Sequence, residues 1–433
     1  MADDIAPALV FAVAVPGAGA ADRLAGLSLA LRAVLTVQGA GADRITLVLD
    51  PADEALGQSI RKDRRLRVPF ELVLVSSGAV AAARSITALP TLVARHDCIA
   101  SPSVYKALLA SRPTIEGALE GLTTRADDGA TGPFLATPEL FAALGNEPLD
   151  EGLERLRALG SVRTLETPGW RVRVNSEAGR SRAITQLFED CRKPLDGIVS
   201  RRLNRHISIF LSKRLVDTPI TPNMATVIAL SFGVAGAAIA ARGGYLPTLV
   251  GATLFQINSV VDGVDGELAR VRFQHSRLGQ WLDTVFDDVA NVLFWSGLAV
   301  GARILPAGTW LSACGWVAAG TNVVAAGLSY VELLRVGSGD WYALGWDVRD
   351  RQRRSLLDRI VTLAGYFLKK DFFIFFCMCL AALGILSYMT PVLAVGGTVT
   401  MISTIVRLLR RAKPEARPPR PELGAKAPSS APR

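Results

Sequence analysis

The pattern of apolar and polar positions divides the chain into two parts, and the first part is residues 1–175. There, short β-rich runs alternate with segments of helical periodicity. The strand-like runs are ALVFAVAV, ITLVLD, FELVLVS and TLVAR, and the helix-like segments are DRLAGLSLALRAVLTVQ, PADEALGQSIR and SPSVYKALLAS. This order predicts an α/β sandwich with a largely parallel sheet.

The second part has a membrane pattern. Residues 183–217 mix apolar and basic positions and predict amphipathic helices at a membrane surface. Long apolar runs follow, each close to the roughly 20 residues that cross the hydrocarbon core. They predict six transmembrane helices, at 221–241, 245–264, 280–303, 308–334, 371–389 and 391–409. We therefore expect an α/β domain at 1–180, juxtamembrane helices at 181–220, a membrane domain at 221–411 and a disordered basic tail at 412–433.

Composition and charge agree with this division. The 433 residues are 50% hydrophobic, with a mean hydropathy of +0.31, which is too apolar for an ordinary soluble enzyme of this size. The net charge of +9 fits nucleic acid, anionic lipid or phosphorylated substrates, and of these we expect no nucleic acid partner. Basic residues cluster on one side of the predicted spans, so the positive-inside rule predicts a multi-pass protein of the cytoplasmic membrane with both termini in the cytoplasm. The opposite loops hold only Arg242 and Arg303. The clustered residues are Lys213, Arg214, Arg270, Arg272, Arg277, Arg349, Arg351, Arg353, Arg354, Lys369, Lys370, Arg407, Arg410, Arg411 and Lys413.

Two pairs of carboxylates lie where the second predicted span ends and the third begins. Asp262 and Asp265 are three residues apart, and Asp283 and Asp287 are four apart, so each pair shares a helix face. If the two helices form a hairpin, the pairs can converge. An Asp at the bilayer centre costs about 2.5 to 3.5 kcal/mol, and less near the interface. Divalent cations would offset this cost and the mutual repulsion, and oxygen-only ligands suit Mg²⁺ or Mn²⁺.

Small and basic residues lie between these carboxylates. Gly266 and Ala269 leave room for a ligand beside the helix backbone, and Gly279 allows close approach of the next helix. Arg270 can bind a phosphate by a bidentate fork. A single membrane-edge Asp is often a solvated helix cap, and Gly and Ala often serve helix packing. The combination instead favours phosphoryl chemistry on a diphosphate.

The spacing D-x2-D-G-x2-A-R-x8-G-x3-D-x3-D resembles the signature of the CDP-alcohol phosphotransferase family, and every fixed position is matched. The resemblance covers residues 185–410 and implies transfer of a phospho-alcohol from a CDP-alcohol to a second alcohol, with release of CMP. It implies two Mg²⁺ or Mn²⁺ ions, a homodimer, and Asp287 as general base toward the acceptor hydroxyl. The implied metal ligands are Asp262, Asp265, Asp283 and Asp287, and the implied CDP contacts are Asp262, Asp265, Gly266, Ala269, Arg270 and Gly279.

The first domain resembles the nucleotidyltransferase-like half of one subgroup, in which an inositol-phosphate cytidylyltransferase is fused to a di-inositol-phosphate-phosphate synthase. The segments TGPFLATPELFAAL and KPLDGIVSRRLNRHISIFLSKRLVDTPITPN carry this resemblance. Gly17 and Gly19 are present, but the first lysine of the chain is Lys62. Asp97 can be one metal carboxylate, whereas Asn175 stands where a second is expected. We expect a degenerate, non-catalytic domain.

Several alternatives stay open from the sequence. Lys370 and Arg407 can hold an acceptor phosphate, which predicts a phosphorylated polyol rather than a neutral one. The donor is open between CDP-inositol and CDP-diacylglycerol. A bifunctional enzyme that makes its own CDP-alcohol is the second hypothesis. A divalent-cation transporter and a first domain that only docks a partner cytidylyltransferase are further hypotheses.

Overall fold

A computed structural model describes residues 7–12, 17–75, 91–111, 121–126, 129, 131–144, 149–192, 196–337, 339 and 370–411. The chain splits into two compact units. Unit 1 contains Met1–Thr226 and Val260–Ser276, and unit 2 contains Val227–Ser259 and Arg277–Arg433. The predicted tail at 412–433 and the basic residues Arg349, Arg351, Arg353, Arg354 and Lys369 lie outside the described residues.

Unit 1 contains a mostly parallel sheet, as the sequence predicts. Its strands are β1 (Pro7–Ala12), β4 (Arg44–Leu49), β5 (Phe70–Leu74), β6 (Thr91–Arg95), β8 (Gly121–Arg125), β9 (Thr131–Ala136) and β10 (Val162–Thr164). Among the described residues the strand order is β10-β8-β9-β6-β1-β4-β5. Strand β1 is parallel to β4 and β6, while β9 is antiparallel to both β6 and β8. Two small ribbons complete the strands, β2 (Arg23–Leu24) with β3 (Leu27–Ser28) and β7 (Cys98–Ala100) with β11 (Arg171–Arg173).

Helices cover both faces of this sheet. They are α1 (Leu29–Ala40), α2 (Glu54–Arg61), α3 (Pro102–Ala110), α4 (Pro138–Leu144) and α5 (Leu149–Ala158). Alternate side chains of β1 enter opposite cores, since side chains of a strand point to alternate faces. Val10 packs in a cluster with residues of α1 and α3, and Leu9 packs in one with residues of α4 and α5. The predicted α/β sandwich is confirmed by this layering.

Two more helices, α6 (Glu177–Glu189) and α7 (Arg205–Leu215), complete unit 1 with the last turns of α9 (Tyr245–Val271). Phe188, Ile209, Val264 and Leu268 share one buried cluster there. Helix α7 has an unusual polarity, because it buries Ser208 and Ser212 while Phe210 is exposed. An apolar outer face of this kind suits a membrane surface.

Unit 2 is helical throughout its described part. Its helices are α8 (Pro222–Ala240), which begins in unit 1, the first turns of α9, α10 (Arg277–Gly301), α11 (Gly308–Val336), α12 (Lys370–Ala382) and α13 (Thr390–Arg411). Small residues allow close backbone contact, which is typical of membrane helices. A Cβ on Gly297 would lie 2.4 Å from the Ala237 carbonyl oxygen. Phe255 and Phe294 stack with their ring centroids 4.2 Å apart.

Four of the six predicted spans are supported by length and composition in the described part of the chain. These segments are Pro222–Ala240, Arg277–Ile304, Gly308–Val336 and Leu386–Leu409. The predicted second span, 245–264, lies in α9 and is not among these four. Helix α9 is long enough to cross a membrane, but it extends to Val271 and contains the charged motif. The predicted helix 371–389 is wrong in its extent, because α12 ends at Ala382. Gly384 then adopts a left-handed conformation (φ 74°), which ends a helix, and a 3-10 turn covers Leu386–Met389.

Candidate active site

The motif residues lie on two consecutive helices joined by residues 272–276. Asp262, Asp265, Gly266, Ala269 and Arg270 lie in the last turns of α9, within unit 1. The other three motif residues, Gly279, Asp283 and Asp287, lie in the first turns of α10, within unit 2.

The first carboxylate pair is close together. One carboxylate oxygen of Asp262 and one of Asp265 lie within 4.8 Å of each other, as the three-residue spacing predicts. Asp265 is buried and accepts hydrogen bonds from the Thr226 hydroxyl and from the backbone N–H of Gly266. These donors orient the carboxylate. Thr226 was missed by the sequence reasoning, because it is 39 residues away along the chain.

Gly266 and Arg270 form the second element of the site. A Cβ on Gly266 would lie 3.2 Å from Nη1 of Arg270, so the glycine gives space to the guanidinium on the next turn. Nη2 of Arg270 donates to the Cys191 carbonyl oxygen at 3.5 Å. Its Nε is buried and has no hydrogen-bond partner among the described residues. A buried guanidinium N–H without a partner is costly, and an anionic ligand would relieve that cost.

Glu267 lies between Asp265 and Arg270 but is not available as a ligand. Its side chain is fully buried. Its carboxylate accepts hydrogen bonds from the hydroxyls of Ser208 and Ser212, both at 2.7 Å. It also forms an ion pair with Arg205 at 2.8 Å. Arg205 is also paired with Asp196. The carboxylate of Glu267 therefore joins α9 to α7, a role that the sequence reasoning did not identify.

The second carboxylate pair has a basic neighbour within unit 2. Lys370, the first residue of α12, forms an ion pair with Asp287. The adjacent Asp288, which is outside the motif, accepts a hydrogen bond of 2.6 Å from the Tyr330 hydroxyl. Lys370 is thus beside the predicted base. Arg407 lies near the end of α13 and is exposed, and its predicted orientation into the bundle stays a prediction.

The edge of the sheet in unit 1 brings together the nucleotidyltransferase-like positions. Gly17 has a left-handed backbone (φ 78°), and a Cβ there would lie 2.2 Å from the Asn175 carbonyl oxygen. His96 contacts the backbone of the same loop, with Nε2 3.0 Å from the Ala18 oxygen. Lys62 is exposed at the end of α2. The structure therefore brings Gly17 and Asn175 together with the turn that carries Asp97.

Asp97 itself is held by two arginines. Its carboxylate is 1% exposed and lies 2.9 Å from Nε of Arg95 and 2.7 Å from Nη2 of Arg173. Burial alone would raise the pKa of Asp97, but the charges of Arg95 and Arg173 hold that pKa below its ordinary value. A carboxylate in this arrangement is ionised and already neutralised by protein cations.

A cavity of about 420 Å³ lies elsewhere in unit 1, beside β11 and α6. Arg125, Trp170, Arg171 and Arg182 line it. Such a lining can take an anionic ligand by charge and stacking.

The candidate site thus combines paired carboxylates, a small-residue floor and an arginine N–H that has no partner among the described residues. Residues 219–345 match the family described as CDP-alcohol phosphatidyltransferase. The resemblance predicted from the motif is thereby confirmed.

Curated relatives also match. Bifunctional IPC transferase and DIPP synthase of Aquifex aeolicus is 42% identical over 105 residues, covering 24% of this chain and 23% of the relative. The protein of the same name from Thermococcus kodakarensis is 34% identical over 182 residues, covering 39% of each chain. The matches thus span between about a quarter and two fifths of these relatives.

Solved structures resemble the chain more distantly. The inositol-1-phosphate CTP transferase from T. maritima is 16% identical, with a TM-score of 0.34, and covers 40% of this chain and 91% of its own. A 4-diphosphocytidyl-2C-methyl-D-erythritol synthase from Anaerococcus prevotii is 13% identical, with a TM-score of 0.33, and covers 41% and 96%. At these TM-scores the likeness carries no argument about activity.

Proposed function

We propose that the protein transfers a phospho-alcohol group from a CDP-alcohol to the hydroxyl of a polyol or polyol phosphate, releasing CMP. The observation that carries the proposal is the complete motif, with the Asp262 and Asp265 oxygens close together. One turn beyond lies Nε of Arg270, which has no partner among the described residues. The hydroxyl oxygen of the acceptor forms a bond to the phosphorus that bears the donor alcohol. The bond from that phosphorus to the CMP oxygen breaks, and CMP keeps the electron pair.

The donor set fits divalent cations. Asp262, Asp265, Asp283 and Asp287 offer only carboxylate oxygens, which suit Mg²⁺ or Mn²⁺. Two ions bound there would neutralise the diphosphate charge and stabilise the departing CMP. The closeness of the Asp262 and Asp265 oxygens supports a shared cation at the first pair.

The remaining roles belong to side chains of the chain itself. Asp287 takes the proton of the acceptor hydroxyl, and its ion pair with Lys370 orients that carboxylate. Arg270 binds the diphosphate, while Gly266, Ala269 and Gly279 leave space for the CDP group. These assignments make Asp287 the catalytic base and Arg270 a donor-binding residue.

For the acceptor, we propose a phosphorylated polyol bound with the help of Lys370 and Arg407. Lys370 lies at the predicted base, which supports a cationic acceptor site there. The variant Arg407→Ala should raise the acceptor KM by about tenfold, equivalent to about 1.4 kcal/mol, with the CDP-alcohol KM nearly unchanged. Equal effects on both substrates would contradict the assignment, as would a preference of the parent enzyme for the unphosphorylated polyol.

The deciding experiment is product analysis with the purified protein. CDP-inositol and CDP-diacylglycerol are each offered with inositol, inositol phosphate or glycerol phosphate, and with Mg²⁺ or Mn²⁺. We expect CMP and one phosphodiester product, formed only when both substrates and a metal are present. A divalent-cation transporter would release no CMP. Release of CMP in this assay therefore excludes the transporter hypothesis, and absence of CMP favours it.

We propose further that the α/β domain is nucleotidyltransferase-like but does not make the CDP-alcohol. The support is the pairing of Asp97 with Arg95 and Arg173, which neutralises the carboxylate expected to bind a metal. The bifunctional alternative is favoured by the names of the curated relatives and by the arginine-lined cavity. Pyrophosphate release from CTP and a phosphorylated polyol would decide for the bifunctional enzyme. If no pyrophosphate is released, the transferase is the protein's one proposed activity. Docking of a partner cytidylyltransferase is then the other candidate role of the α/β domain.

The wider expectations belong to the same proposal. We propose six membrane spans, both termini in the cytoplasm, contact of α7 with membrane lipids and a homodimer. The exposed Phe210 and the guanidinium of Arg214, 3.7 Å from its ring centroid, support a membrane-surface position for α7.

A further inference from the structure

Two arginines of the α/β domain bind the C-terminal end of the motif helix. Arg32, in α1, donates from Nη1 to the Val271 carbonyl oxygen at 3.0 Å. Its Nη2 donates to the Leu24 and Ala25 carbonyl oxygens, both at 2.9 Å. Arg65 donates from Nη1 to the Arg272 carbonyl oxygen at 2.8 Å. All of these residues belong to unit 1.

These contacts supply what a helix end lacks. The last carbonyls of an α-helix have no partner within the helix, and its C-terminus attracts cations. Val271 is the last residue of α9, so Arg32 is both a hydrogen-bond donor and a favourable charge there. Arg32 is fully buried, and burial lowers its pKa to about 10, which leaves it charged at neutral pH.

Arg272, directly after α9, also holds residues 215–220, which lead into α8. Arg272 donates to the carbonyl oxygens of Leu215, Val216, Thr218 and Ile220. The backbone N–H of Gly26, in the β2–β3 hairpin, donates to Asp217 at 2.8 Å. The hairpin that accepts from Arg32 is therefore tied to the residues around the end of α9.

The residue that Arg32 binds lies close to the motif residues on α9. Val271 follows Arg270 directly and lies six residues after Asp265, about 9 Å along the helix axis. An α-helix is stiff over this length, so a shift or rotation of its last turn moves Asp265 and Arg270 together.

We propose that the α/β domain is a positioning module for the transferase motif, and that Arg32, assisted by Arg65, is the residue through which it acts. The proposal rests on the transferase function proposed above. It gives the domain a role that needs no chemistry of its own: it holds Asp265, Gly266 and Arg270 in register for the donor and the metal.

The test compares Arg32→Met with Arg95→Met in the full-length protein. Arg95 is a matched control, because it is also buried in the α/β domain but its described partners are Asp97 and Asp150. We expect Arg32→Met to raise the CDP-alcohol KM and the half-saturating metal concentration by about tenfold, with the acceptor KM within about twofold of the parent. Arg95→Met should change only the fraction of folded, active protein. It should leave the CDP-alcohol KM, the half-saturating metal concentration and the acceptor KM unchanged. Arg32→Lys, which keeps the charge but not the forked donors, restores part of the loss.

A second readout does not depend on activity. Amide hydrogen exchange in the last turn of α9 and in residues 272–276 should become faster in Arg32→Met and stay unchanged in Arg95→Met. If the parent transfers no phospho-alcohol, the proposed function fails, and this exchange result still decides whether the domain fixes α9.

The proposal is overturned if Arg32→Met keeps the parent KM values and exchange rates, or if Arg95→Met shifts them equally. Should Arg32→Met fail to fold, Arg65→Met takes its place, because the Arg65 side chain is 25% exposed and its removal disturbs less packing. We expect the same direction of change from Arg65→Met, about threefold in size, and unchanged values there would count equally against the proposal.

Discussion

At the scale of single residues, carboxylates with neighbouring numbers have different roles. Asp265 accepts a hydrogen bond from Thr226 and is a proposed metal ligand. Glu267, two residues later, instead binds Arg205, Ser208 and Ser212. Asp287 pairs with Lys370 and Asp288 with Tyr330. The partner of each carboxylate therefore separates the chemical candidates from the structural ones.

The predicted base can be tested against its neighbour. Asp287→Asn should lower kcat by about 10² to 10⁴, the usual loss for a general base, while CDP-alcohol still binds. Asp288→Asn, one residue away on α10, is the matched control and should keep most of the rate. Asp262→Asn should instead raise the metal requirement and the donor KM together. Near-normal turnover of Asp287→Asn in a steady-state assay would remove that residue from the mechanism.

The Asp97 ion pairs predict a stability effect with a defined pH dependence. Because the folded pKa of Asp97 is lowered, its contribution to stability is present above the ordinary value of 3.8 and is lost as pH falls through the folded pKa. Asp97→Asn should lower the free energy of unfolding by about 3 to 5 kcal/mol at pH 7. The difference from the parent should shrink below pH 3.8.

The measurement is amide hydrogen exchange of β6 and β11 across a urea series. The control is Asp22→Asn, because Asp22 is paired with Arg180 but 45% exposed, and such surface pairs contribute about 0 to 1 kcal/mol. Equal losses in the two variants, or no loss in Asp97→Asn, would contradict the interpretation of the buried cluster.

At the scale of elements, α9 has contacts on several sides within unit 1. Its Glu267 face meets α7, and Val264 and Leu268 pack in the cluster with Phe188. Arg32 binds its last carbonyl, and Arg65 binds the carbonyl of the next residue. Gly263 belongs to the α7 face, because a Cβ there would lie 3.3 Å from Nη1 of Arg205 and from Oγ of Ser208. Gly263, which lies between the motif residues Asp262 and Asp265, thus serves packing against α7.

A double-mutant cycle tests the link between α7 and α9. Glu267→Gln and Arg205→Gln should each destabilise the protein by about 1 to 3 kcal/mol, because each leaves a buried polar partner incompletely satisfied. The double variant should lose clearly less than the sum of the two. The check is equilibrium unfolding in detergent, and effects that add within about 0.5 kcal/mol would show that the two side chains are not coupled.

At the scale of the whole molecule, the chain combines an α/β unit with helices that can cross a membrane. The α/β unit contains the first half of the motif, and the helical unit contains Gly279, Asp283 and Asp287. The fixed positions of the sequence motif are thus divided between the two units, and we expect neither unit alone to transfer a phospho-alcohol.

The topology follows from the charge distribution and can be measured. A single cysteine at Arg242, in an otherwise cysteine-free variant, should react with an impermeant thiol reagent added outside intact cells. A single cysteine at Gln274, in the loop after α9, should react only after permeabilisation, since the basic loops are predicted to be cytoplasmic. Reaction of both positions from the same side would contradict the predicted topology.

Local rules account for what the sequence by itself determined. Residues three or four apart share a helix face whatever surrounds them, so the motif predicted the closeness of Asp262 and Asp265. Strands β1, β4, β5 and β6 followed from short apolar runs, and the long helices from membrane-length ones.

Long-range contacts decided the rest. Glu267 finds Arg205 62 residues away, and Arg32 reaches Val271 across 239 residues. The ion pairs of Asp97 with Arg95 on β6 and Arg173 on β11 could not be predicted from the sequence, which offered Asp97 only as a metal carboxylate. A buried charge takes whatever donors the tertiary structure brings to it, because the cost of leaving it unpaired far exceeds any local preference. Only the folded chain therefore distinguishes a carboxylate available to a metal from one that holds two helices together.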